Sequence, residues 1–262
     1  NSKGKAQSAF KKLGAVALIT ADTTVSVSFE PNPVEGGAVL ILSPNNLNIK
    51  VRAVTEDGSD ITVEGCTETR LASDTKTTLH ARGTTVILKG KITELDVSGT
   101  YANKQTLTAL NVQGLTSLQK LYCYHNQLTE LNVQGLTSLK VLECYSNQLT
   151  ELNVQGLTAL QELYCSYNQL TELNVQGRAS LKELDCYRNK LNAQAMTELL
   201  NALPAREASD KGDARLYTKK TDVTEENCKD FTQSEDLKKA FDGAKKRNWK
   251  LQKETETNYE DI

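Results

Sequence analysis

The stretch Leu128-Thr-Glu-Leu-Asn-Val-Gln-Gly-Leu-Thr-Ser-Leu-Lys-Val-Leu-Glu-Cys-Tyr-Ser-Asn-Gln148 recurs in near-identical form from Leu107, Leu149 and Leu170. The period is 21 residues. Each copy holds the frame Leu-x-x-Leu-x-Cys-x-x-Asn. The frames are Leu118/Leu121/Cys123/Asn126, Leu139/Leu142/Cys144/Asn147, Leu160/Leu163/Cys165/Asn168 and Leu181/Leu184/Cys186/Asn189. Leucine and cysteine two residues apart lie on one side of an extended strand, so both point to a core.

A fixed period near 20 residues with leucines at these offsets is the signature of a leucine-rich-repeat solenoid. Such folds present surfaces that bind partners. A second apolar triplet follows half a period later, at Leu128/Leu131/Val133, Leu149/Leu152/Val154 and Leu170/Leu173/Val175. The repeat is therefore nested, and we expect extended chain on both flanks of each coil with a narrow core between. The expected fold class is a leucine-rich-repeat solenoid, an α/β repeat made mostly of β coils. An N-terminal β-rich cap and a C-terminal βαβαβ-like cap complete it, because bare terminal coils expose core and strand edges.

Cys123, Cys144, Cys165 and Cys186 form a structural ladder of buried thiols rather than disulfides. Free cysteine packs as a small hydrophobe, and equivalent residues on stacked strands point in parallel instead of converging. Asn126, Asn147, Asn168 and Asn189 form a second ladder, whose amides should bond to the turning backbone of neighbouring coils.

Working outward, residues 1–84 lack the repeat. Val25/Val27/Phe29, Val39 to Leu42, Ile49/Val51/Ala53 and Ile61/Val63 read as short strands joined by tight turns. Ala15 to Thr20 reads as a first strand rather than a signal peptide, and the first ~14 residues as disordered. The chain starts at Asn1, as a processed or trimmed protein would. Residues 85–191 carry the repeats. They open on a degenerate coil from Val86 to Val97 in which Ile87 takes the cysteine position, and an irregular stretch, Gly99 to Thr106, follows. Residues 192–262 read as helix, strand, helix, strand. Met196, Leu199, Leu200 and Leu203 have helical spacing between Asn192 as cap and Pro204 as stop. Arg215 to Thr218 follows as a strand, Leu237 to Ala244 as a helix behind Ser234, and Trp249 to Leu251 as a last strand. The tail from Lys253 to Ile262 reads as polar and frayed.

Thirty-one basic and 33 acidic residues give a net charge of −2. This balance offers no footprint for nucleic acid or an anionic membrane, and no apolar run approaches the ~18 residues of a membrane span.

The quoted repeat resembles the short nested repeats of bacterial leucine-rich-repeat surface proteins, above all the internalin-related family of Gram-negative anaerobes. Asn192-Ala-Gln-Ala-Met-Thr-Glu-Leu-Leu-Asn-Ala-Leu-Pro204 looks like the C-terminal cap of such proteins. The resemblance implies secretion or bacterial cell-surface display, adhesion, virulence-related host contact, and roles in biofilm.

On each cysteine strand the alternate residues face outward. They vary from coil to coil: Lys120, Val141, Glu162, Glu183; Tyr122, Glu143, Tyr164, Asp185; Tyr124, Tyr145, Ser166, Tyr187. Just past them come His125, Ser146, Tyr167 and Arg188. The other flank repeats a polar filler: Glu130, Glu151, Glu172; Asn132, Asn153, Asn174; Gln134, Gln155, Gln176. Tyrosine combines contact area, a hydroxyl and modest entropy loss. The candidate ligand-binding residues are therefore Tyr122, Tyr124, Glu143, Tyr145, Glu162, Tyr164, Tyr167, Asp185 and Tyr187. An inert stacking ladder between coils is the competing reading.

Nucleophile motifs, phosphate loops and metal spacings are missing from the sequence, so no enzyme activity, metal or cofactor is expected. Glu162 and Glu183 on adjacent coils could match a glycosidase pair in spacing, but a flat face lacks a cleft. Asp57-Gly58-Ser59-Asp60 reads as a turn rather than a calcium loop. The expected partner is a host or bacterial surface protein or a glycan. The alternative is a structural spacer whose binding lies in the N-terminal β-domain.

Overall fold

The computed structural model describes residues 32–100 and 107–262, with the backbone of two further short strands. The expected disorder of the first residues and most of the irregular stretch before Leu107 lie outside the described residues. The two short strands, β1 (Val16–Ile19) and β2 (Val25–Ser28), pair antiparallel.

Six strands follow: β3 (Gly37–Leu42), β4 (Asn48–Thr55), β5 (Ile61–Glu64), β6 (Arg70–Leu71), β7 (Thr77–His80) and β8 (Thr85–Lys89). Alternation of buried and exposed residues along β4 and β5 matches their sequence pattern. The Asp57 carboxylate accepts from the Ser59 N–H at 3.0 Å, closing the turn between these two strands.

The repeats begin at β9 (Ile92–Asp96) and β10 (Leu107–Asn111). The regular coils then contribute one short strand each: β11 (Lys120–Tyr122), β12 (Val141–Glu143), β13 (Glu162–Tyr164) and β14 (Glu183–Asp185). These pair parallel and in register, so Leu95, Leu121, Leu142, Leu163 and Leu184 stand in one row. In-register stacking follows from the constant period, since each coil returns the chain to the same height.

This register corrects the degenerate-coil reading. Asp96 aligns with Tyr122, so Val97, not Ile87, stands in the cysteine position. Ile87 lies on β8, which pairs antiparallel with β3 and β5, and its side chain is only half-buried. An apolar triplet alone does not reveal whether its strand is parallel or antiparallel. The two flanks of each coil differ in their pairing. The second triplets are buried, but after β10 they form no strands beyond one bridge between Asn111 and Asn132.

The N-terminal strands bracket the first coil. β4 pairs antiparallel with β9, while β3 pairs antiparallel with β10. Gly114 marks the contact: a methyl there would collide with the Val34 carbonyl, whereas the equivalent Gly135, Gly156 and Gly177 face open space.

Past β14 come α1 (Ala193–Ala202), β15 (Gly212–Thr218), α2 (Glu235–Lys246), β16 (Trp249–Glu254) and β17 (Tyr259–Asp261). Asn192 and Ser234 cap the helices through their side chains. In α2, Glu235 and Asp236 open the helix and Lys245 and Lys246 close it, complementing its dipole. β15 and β16 extend the parallel sheet beyond β14. The tail is not frayed: β17 folds back antiparallel on β16, and Lys250–Asp261 and Lys253–Glu260 ion pairs flank the hairpin. The result is a sheet of ten strands in the order β17-β16-β15-β14-β13-β12-β11-β9-β4-β7. One hydrophobic core runs behind it from Ala38 to Leu251. Among the described residues no helix is long and apolar enough to cross a membrane.

Candidate functional site

Two internal ladders hold the coils together and set the face in front of them. All six cysteines are free and buried. Burial pushes the Cys144 thiol up to about 12 and the other three ladder thiols upward as well. They are neutral, inert core groups.

The asparagines carry the polar bonding. Asn168 Nδ2 donates to the carbonyls of Cys144 and Cys165, each at 3.1 Å, and its Oδ1 accepts from the Leu149 N–H at 3.0 Å. Asn126, Asn147 and Asn189 repeat this bridge between successive coils. A fifth rung is Asn227, which donates to Cys186 O and Leu216 O and accepts from Leu191 N, all at 2.8 Å. It lies 38 positions beyond Asn189, so the 21-residue period carries no sign of it.

On the outer side of the cysteine strands, register sets three columns. In the middle one Asp96, Tyr122, Glu143, Tyr164, Asp185 and Arg215 are lateral neighbours. Tyr122, Tyr124, Glu143, Tyr145, Glu162, Tyr164 and Tyr167 are all half-buried on this face. Tyr164 donates its hydroxyl to Glu183 at 2.5 Å and lies 3.4 Å from Glu162. Tyr124 stacks on Tyr145 with ring centroids 4.5 Å apart, and His125 sits edge-on to both. Lys120 pairs with Glu94, Lys182 with Glu162, and Lys76 with Asp96. Burial first, then Glu162, Asp96 and Asp185, push the Glu143 carboxyl up to about 7.

Two expected binding residues are not on the open face. Asp185 is 7% exposed and is ion-paired to Arg215 at 2.7 Å. Burial nevertheless raises its carboxyl to about 6 against the pull of that guanidinium. Tyr187 is also 7% exposed, packed between Tyr167 and Tyr259. The cover comes from β15 and β17, whose approach no local pattern near Asp185 announces.

The next position in each coil has left-handed backbone. His125, Ser146, Tyr167 and Arg188 have φ between 52° and 56°, a region that glycine and asparagine normally fill. Their N–H groups donate to the following coil: His125 to Tyr145 O, Ser146 to Ser166 O, Tyr167 to Tyr187 O. Arg188 donates instead to both oxygens of Glu225, at 3.1 and 3.0 Å. The Arg188 guanidinium lies 4.4 Å from the centre of the Tyr167 ring.

The opposite flank is more than filler. Asn132, Asn153 and Asn174 each accept the backbone N–H of the glutamine two residues on, at 2.8 to 3.0 Å. These Asx turns precede Gly135, Gly156 and Gly177, whose φ values of 78° to 83° complete the corner. Asn-x-Gln-Gly is the sequence signal for this turn. A groove of roughly 660 Å³ runs between this flank and α1, lined by Glu151, Asn153, Glu172, Asn174, Glu198 and Asn201 among others.

Residues 116–157 match the family model for leucine rich repeats, two copies. Over those residues the chain carries leucine-rich repeats. No curated protein matches the chain. Among solved structures it is similar to one described as the functional domain of InlJ from Listeria monocytogenes, which includes a cysteine ladder. The sequences are 31% identical, the match covers 39% of this chain and 29% of that one, and the TM-score is 0.28. The chain thus matches under a third of that relative's length.

Proposed function

We propose that this chain is a non-enzymatic binding module of a secreted or surface-displayed bacterial protein. It takes a protein or glycan ligand on the outer face of the cysteine strands, as an adhesin or biofilm component would. The carrying observation is the contrast between flanks. The face of Tyr122, Tyr124, Glu143, Tyr145, Glu162, Tyr164 and Tyr167 changes in every coil, while the flank of Asn132, Asn153 and Asn174 repeats one turn chemistry. The β-rich N-terminal segment and the segment of two helices and three strands after Asn189 serve as caps. They cover the strand edges of the first and last coils.

A wild-type chain and a Tyr122/Tyr145/Tyr164→Ser variant of matched thermal stability, screened against glycans and extracellular-matrix proteins, test this reading. Loss of capture by the variant is the expected result. Equal capture would move the site to the N-terminal strands or to the groove beside α1.

A further inference from the structure

Glu143 stands at the centre of the cysteine-strand face, directly between Tyr122 on β11 and Tyr164 on β13. The two tyrosines are two strands apart, roughly 10 Å at the backbone. All three side chains alternate with buried leucines and rise from the same side of the sheet. Tyr164 is drawn away from Glu143 by its bond to Glu183 on β14. A planar cation at about 3.5–4 Å from each of two rings needs roughly 7–8 Å between them. By register, the three side chains outline a slot with Glu143 as its floor and the two tyrosines as its walls.

Among the described residues no cation pairs with this floor. Among the described residues the charged groups that act on the Glu143 carboxyl are acidic: Glu162, Asp96 and Asp185. Its neighbours on the face are matched, Glu94 by Lys120, Asp96 by Lys76, Glu162 by Lys182 and Asp185 by Arg215.

The same column shows what completes such a position. Two coils on, Asp185 holds the Arg215 guanidinium at 2.7 Å, and the Tyr259 ring lies 4.4 Å from its central carbon. A carboxylate floor, a guanidinium and a tyrosine face are thus already assembled within this molecule. Tyr167 and Arg188 repeat the stacking half of the arrangement.

Building on the proposed binding face, we infer that the Tyr122–Glu143–Tyr164 slot receives an arginine side chain of a protein partner. Guanidinium suits it better than ammonium, because it is planar, stacks on tyrosine and meets a carboxylate through two N–H groups. The partner is a protein with a basic segment, and the slot is its anchor point.

The test titrates the full chain, with ¹³C-labelled tyrosine rings, with acetyl-Gly-Gly-Arg-Gly-Gly-amide. The citrulline and lysine versions serve as comparison. The arginine peptide should shift the Tyr122 and Tyr164 ring signals saturably, bind at least tenfold more tightly than the citrulline peptide, and outbind the lysine peptide. Glu143→Gln, which preserves the side chain's shape and removes its charge, should weaken the arginine peptide at least tenfold. Equal binding of arginine and citrulline, a response indifferent to Glu143→Gln, or no saturable shift at these rings would overturn the slot. The broader reading is checked separately by capture of whole ligands. If Tyr122/Tyr145/Tyr164→Ser abolishes capture but Glu143→Gln does not, the face binds without an arginine anchor and the inference fails alone. Capture of a glycan in place of a basic protein likewise removes the arginine anchor and leaves the binding face standing. If neither change affects capture, both fail together.

Discussion

The two flanks of each coil use the same kinds of polar residue for different ends. On one flank, Asn132, Asn153 and Asn174 bond to their own backbone two residues on, and the chemistry repeats coil after coil. On the other, side chains reach sideways to the next coil: Tyr164 to Glu183, Tyr124 to Tyr145, Asp185 to Arg215. A turn must be solved identically in every coil, so its residues cannot change. A lateral contact needs only some complementary neighbour, which leaves room for a varied surface. Repetition here marks what the coil needs, and variation marks the face we propose for a partner.

The sharpest way to break this comparison is to set the inner asparagine ladder against the outer asparagines. Asn168→Ala leaves the buried Leu149 N–H unpaired, at about 1–3 kcal/mol, and removes a donor from the carbonyls of Cys144, Cys165 and Ser166, of which the first two keep Asn147 and Asn189. We expect a loss of about 3 kcal/mol in a urea melt. Asn153→Ala removes one bond on an exposed corner and should cost about 1 kcal/mol or less. Equal losses would mean that both flanks are equally structural.

A smaller effect separates the varied face from its support. Folding raises the Glu143 carboxyl from the 4.5 of a free side chain to about 7, so the folded state holds its proton more tightly. The native state therefore binds more protons than the unfolded one between those values. Wild-type stability must fall as pH rises through that window. Glu143→Gln should leave stability near pH 4 unchanged and raise it at pH 8 by about 1 kcal/mol, a figure reduced for solvent screening of a half-buried group. Thermal melts at the two pH values check this, and a pH-independent difference would show that the charge of Glu143 is not what strains the face.

The smallest expected effect lies on the repeated flank. Glu151 and Glu172 are exposed. Their replacement by alanine should change stability by about 0.5 kcal/mol or less and leave ligand capture intact. Loss of capture would shift attention to the groove they line with α1.

Much of this architecture is legible from residue order. Leucine and cysteine two apart declare a buried strand side, and the 21-residue period declares the stacking. Asn192 and Ser234 announce both helices. Pattern along a chain reports which side of a strand is buried, but not what distant segment covers the other side. Asp185 and Tyr187 read as surface because Arg215 and Tyr259 lie 30 and 72 residues further on. Asn227 carries no periodic signal because α1 and β15 interrupt the repeat before it. Ile87 reads as part of the solenoid, although it lies in the antiparallel sheet, because parallel and antiparallel strands share one alternation.

Asn227 also shows that the ladder does not count residues. Each rung closes on the carbonyl of the coil before it, whether the intervening chain is a 21-residue coil or a longer excursion through a helix and strand. A gene duplication inserting one more coil would find its bonds waiting at both boundaries. Length is then a free variable for evolution: the varied face can be extended or shortened by whole units while both ends stay as they are.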